Sequence, residues 1–227
     1  LNESWPRCSN LTIVTLNHLF KRDFAGFAAF VLQPIPEREN FLCFQAMISG
    51  GETKANGLIE ASFSNILPFL GGSKSLCKAT LKLIEAISAV YPKFMLNDAI
   101  CKSWLEPLVN LLAADLEYCP NICRILERVG DAAFKLQLVQ TLFASKSVDL
   151  IKILIELCFV KTNSSNMFII NECTVASIGL SKCVSSVPMM NTLLDFLNKC
   201  LANTHNLSGE IKNSIKESLY TIIMVRE

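Results

Sequence analysis

The chain has 227 residues, 51% of them hydrophobic, with 21 basic and 20 acidic side chains. So large an apolar share excludes a disordered chain. The charges are spread evenly, 12 basic and 12 acidic in residues 1–130 and 9 and 8 thereafter, so no basic stripe tracks a phosphate backbone and direct nucleic-acid binding is disfavoured.

Apolar spacing by threes and fours predicts helices near 11–21, 24–32, 38–49, 52–59, 62–70, 75–91, 95–100, 104–114, 121–129, 132–144, 148–160, 166–183, 189–203 and 209–225. The early pieces are separated by Pro34 and Pro36, which remove donors and push their predecessors out of the helical region. Gly50, Gly51, Gly71, Gly72 and Gly130 read as stops. Helix 75–91 sets Leu76, Cys77, Thr80, Leu83, Ile84, Ile87 and Val90 along one face, with Lys78, Lys82 and Glu85 opposite. Ser103 and Glu106 fit a capping box at the start of helix 104–114, slightly weakened by Pro107. The run Val148 to Val160 is the most apolar, but it is only 13 residues long and carries Asp149, Lys152 and Glu156. A bilayer crossing needs roughly 20 apolar residues, so this is a packed helix and no membrane is expected.

The pieces recur. Asn65 to Leu70 (NILPFL) is echoed by Trp104 to Val109 (WLEPLV), with weaker echoes at Leu150 to Leu154 and Met190 to Leu197, at intervals of about 40 residues. On these segments the chain resembles the armadillo/HEAT superfamily. The resemblance implies an all-α fold, a right-handed α-α superhelix of four to six irregular repeats, expected as one domain over residues 1–227 cut from a longer chain. It does not extend to the regular asparagines of repeats that grip extended peptides, since helix 75–91 has none.

Catalytic chemistry has little to build from. The two histidines, His18 and His205, have no carboxylate or thiol at a spacing that shares a helix face. Glu37 and Glu39, and Asp115 and Glu117, read as solvated helix ends. Gly71 to Ser75 lacks phosphate-loop spacing. Cys119 and Cys123 would share a face if helix 121–129 began a turn earlier, but no second close pair exists to complete a zinc site, so no metal or cofactor is expected. The ten cysteines sit mostly in apolar helical patterns and read as reduced, which points to nucleus or cytoplasm. Four glycosylation sequons begin at Asn2, Asn10, Asn163 and Asn206. The expected function is therefore non-enzymatic: a scaffold that binds a peptide or helix of a partner protein, in a groove or on a terminal repeat, with an apolar end able to dimerise. The alternatives are a nucleic-acid-associated α-solenoid and an all-helical enzyme domain. The candidate partner-binding side chains are Lys78, Lys82, Glu85, Arg124, Arg128, Asp149, Lys152 and Glu156, which also read as a plain solvated face. Trp5, Trp104, Tyr118 and Phe168 are candidate anchors or core.

Overall fold

The computed structural model describes residues 38–49, 55–138, 140–157 and 167–184, with single positions at 188, 190–192, 195, 213 and 216. The expected helices 11–21, 24–32, 189–203 and 209–225, Trp5, both histidines and the four sequons lie outside the continuous described stretches. Among the described residues every element is helical and no strand occurs, so the fold class is all-α. The chain divides into two compact units, Leu1–Tyr91 and Pro92–Glu227.

The described part of the first unit holds α1 (Arg38–Ser49), α2 (Ala55–Ile66), a 3-10 turn (Leu67–Gly71) and α3 (Lys74–Val90). The sequence predicts a break between 59 and 62 and a second helix to 70. Instead α2 runs unbroken to Ile66, and Pro68 falls in the tighter turn that follows, where its missing donor is harmless. Ser73 caps α3, its hydroxyl accepting from the Leu76 amide at 3.4 Å. The buried face of α3 is wider than the predicted stripe. Leu81, Ala79, Ala86 and Ser88 are buried with Leu83, Ile84 and Ile87, whereas Val90 is exposed. Packing on more than one side explains this: α1 lies against α3, and the 3-10 turn lies against both α2 and α3. The Phe41 and Phe69 rings meet edge-on at 5.6 Å.

The second unit holds α4 (Pro92–Met95), α5 (Asp98–Ala114), a 3-10 turn (Leu116–Tyr118), α6 (Cys119–Lys135), α7 (Leu142–Glu156) and α8 (Met167–Ser181). The capping box at Ser103 is overturned. Ser103 lies inside α5 and donates to the Ile100 carbonyl, while Asn97 is the cap, its side chain accepting from the Ala99 and Ile100 amides. Two cap signals compete within seven residues, and burial of Cys101 and Trp104 favours the earlier one. Trp104 is fully buried and its indole donates to the Met95 carbonyl at 3.1 Å, so it is core. Tyr118 is buried and Phe168 exposed.

Gly130 is not a stop. It lies in mid-helix, and α6 runs on to Lys135. The helix is terminated instead through Gln137, whose φ of 56° is left-handed, with the Leu138 amide returning to the Ala133 carbonyl. The expected helix 132–144 is thereby cut in two, and α7 begins after Thr141, whose hydroxyl accepts from the Ala144 amide. Within this unit α8 packs on α6 and α7, and α5 packs on α7.

Candidate functional site

Two features of the second unit bring chemistry-bearing side chains together. The first is a groove between α5 and α7. Asp98, the first residue of α5, accepts through Oδ1 from the Leu142 amide, the first of α7, at 2.8 Å. That bond levels the two helix starts. A carboxylate among unpaired amides at a helix N-terminus is charge-assisted and favourably placed in the helix dipole. The Trp104 and Phe143 rings, 6.0 Å apart, hold the same pair of helices together beneath. From there the groove runs between Lys102, Leu105, Glu106 and Val109 of α5 and Leu142, Lys146, Asp149, Leu150 and Ile153 of α7, enclosing about 500 Å³.

Its lining is mostly apolar, and its charges are ordered. Lys102 lies four residues into α5 and Lys146 four into α7, with Glu106 and Asp149 about one turn further on. The basic pair therefore stands nearer the helix starts and the acidic pair follows along the same trough. Asp149 also meets Lys152 at 3.5 Å.

The second feature is the α6–α8 seam. Arg124 pairs with Glu172 through two contacts at 3.3 and 3.5 Å, Lys182 reaches Asp131 at 2.6 Å, and the Cys183 thiol donates to the Gly130 carbonyl. Partner numbers rise together along both helices, so α6 and α8 run parallel. They also cross closely: a Cβ on Gly130 would come 2.8 Å from the Gly179 carbonyl oxygen. At the start of this seam three thiols converge. Cys119 Sγ lies 3.6 Å from Cys123 and 3.5 Å from Cys173, and Cys123 lies 3.9 Å from Cys173. All three are buried. They form the group of metal-ligating atoms found among the described residues.

The sequence expectation of no metal rested on the missing second pair. Helix α6 does begin a turn earlier than expected, at Cys119, and the third thiol comes from α8. The contact with Cys123 favours the Cys119 thiolate, but contact with Cys173 and burial outweigh it and push this thiol up to about 12. Contacts with Cys119 and Cys173, then burial, also raise Cys123. Burial pushes Cys101 up to about 12 and Cys183 up to about 11. No family model matches the chain, and no curated protein matches it.

The eight residues singled out from the sequence are not gathered at one place. Lys78, Lys82 and Glu85 belong to α3 in the first unit, where Lys82 is exposed and the other two half-buried. Arg124 is committed to Glu172 across the α6–α8 seam, and Arg128 lies a turn beyond it, half-buried. Asp149 alone of the eight lines the α5–α7 groove. Lys152 is half-buried beside it and Glu156 is exposed. Sequence reasoning missed Lys102, Glu106 and Lys146. Lys102 and Lys146 look like ordinary solvated residues and Glu106 like a cap partner, and only the pairing of α5 with α7 makes them a set.

Among the described residues no helix is long and apolar enough to cross a membrane.

Proposed function

We propose that this chain is a non-enzymatic binding scaffold, part of an α-α superhelix of armadillo/HEAT type, and that its α5–α7 groove takes an amphipathic helical segment of a partner protein. The parallel course of α6 and α8, together with the levelled starts of α5 and α7, supports the superhelix. Alternate helices running side by side in the same direction are what a stack of helical pairs requires.

The observation that carries the binding reading is the groove itself. About 500 Å³ accepts a few large side chains spaced along one helix face. The ordered margins select the occupant's charges and direction. An acidic residue opposite Lys102 and Lys146, followed about one turn later by a basic residue opposite Glu106 and Asp149, is favoured, and the reversed segment meets like charges. The buried, helix-borne cysteines among the described residues support a reducing compartment, nucleus or cytoplasm.

The test is selection of displayed 16-residue helical peptides against the full chain. Expected winners carry an apolar stripe with an acid-then-base order. They lose at least about tenfold in affinity to a Val109→Asp, Ile153→Asp double variant, a loss of roughly 1.4 kcal/mol. Both side chains are only partly buried where they line the groove, and far-UV circular dichroism checks that the double variant keeps its helical fold. Winners that bind the double variant equally well would refute the assignment.

A further inference from the structure

We propose that Cys119, Cys123 and Cys173 form a three-coordinate thiolate site for a single monovalent copper ion. The geometry comes first. With sides of 3.5, 3.6 and 3.9 Å, the sulfur triangle has a centre about 2.1 Å from each sulfur, against roughly 2.3 Å for a metal–thiolate bond. An ion displaced from the plane by about 0.9 Å reaches that bond length with no movement of the sulfurs. The ligands arrive pre-positioned: Cys119 and Cys123 are one turn apart on α6, and the Gly130–Gly179 approach holds α8 close enough to deliver Cys173.

The donor set selects the ion. Three soft sulfurs discriminate against magnesium and calcium and favour copper(I) or zinc. A structural zinc takes four ligands. Here the ligating atoms that converge among the described residues are three thiols, all of them buried away from solvent. Monovalent copper is stable with three. The anionic complex is favoured by its place in the first turns of the 17-residue α6, at the positive end of the helix dipole.

Binding replaces S–H bonds by metal–sulfur bonds, and the displaced protons go to solvent, so affinity falls as pH falls. The three cysteines are only 0–1% exposed, so loading accompanies folding.

The experiment is anaerobic refolding of the reduced full chain with one equivalent of copper(I) against a chromogenic copper(I) chelator. The expected result is one ion retained per chain, with X-ray absorption giving three sulfurs near the metal–thiolate distance. Cys173→Ser should shift the chelator midpoint by at least tenfold, while Cys101→Ser, a buried cysteine outside the triangle, should not. Refolded protein should load much faster than native protein. Two-sulfur coordination in the wild-type chain, or equal retention by a folded Cys173→Ser variant, would overturn the proposal. So would a parallel zinc arm in which zinc is held more tightly with an oxygen or nitrogen as fourth ligand. The wild-type absorption spectrum decides the matter even if a variant does not fold.

Discussion

Substituting Gly130 by Ala is the sharpest probe of the α6–α8 seam. In a solvent-facing helix the change gains about 1 kcal/mol, because alanine is the better helix former. Here the added Cβ would lie 2.8 Å from the Gly179 oxygen, 2.9 Å from its carbonyl carbon and 3.2 Å from the Leu180 nitrogen. Ordinary contact begins at 3.4 Å, so the helices must separate by about 0.6 Å. All three obstructing atoms are backbone, so no side chain can swing aside. Overpacking of this kind costs roughly 1–3 kcal/mol, which offsets the propensity gain and leaves a net loss of up to about 2 kcal/mol. Gly57 in α2 supplies the opposite case. A Cβ there meets nothing within 4 Å, and Gly57→Ala should gain up to about 1 kcal/mol. Urea unfolding followed by far-UV circular dichroism measures both. A Gly130→Ala variant at least as stable as the parent would refute the close parallel crossing, and with it the positioning of Cys173.

Three further outcomes are expected. Gln137→Gly should stabilise the second unit by about 0.5–1 kcal/mol in thermal unfolding, because it relieves a side-chain-bearing residue held at φ 56°. Asp98→Ala removes the acceptor for the Leu142 amide and should lower stability by about 1–2 kcal/mol, with faster hydrogen exchange in the first turn of α7 as the readout. Glu127 has a carboxyl raised above its ordinary value, first by burial and then by the charge of Asp131. The folded state therefore holds this proton more tightly than the unfolded state. Its contribution favours folding at low pH and is lost as pH rises through the raised value. Glu127→Gln should accordingly stabilise the fold at neutral pH, and the gain should vanish in acid, as urea midpoints across that range will show.

The sequence was readable where one signal governed one helix. Helix 38–49 matches α1, and 75–91 differs from α3 by one residue at each end, because a strong apolar period is bounded there by clear punctuation. It misled where one residue type answers to two physical demands. Gly130 was read for its backbone freedom, but it is used for its lack of a side chain against Gly179. Ser103 and Asn97 both carry cap chemistry, and the choice between them was made by Trp104, whose indole partner lies at Met95. The thiol triangle joins residues 50 positions apart, and Lys102, Glu106 and Lys146 become a set only across two helices. No local pattern encodes either arrangement, since both are products of tertiary packing.

The bond from Asp98 to Leu142 also decides how this protein can be divided. The opening turn of α7 draws one acceptor from Thr141 and another from a helix 44 positions earlier. A fragment that starts after α5 would leave that second amide to water and fray at its leading edge. Any expression piece meant to keep α7 intact therefore has to begin no later than Asn97, the residue that caps the lender.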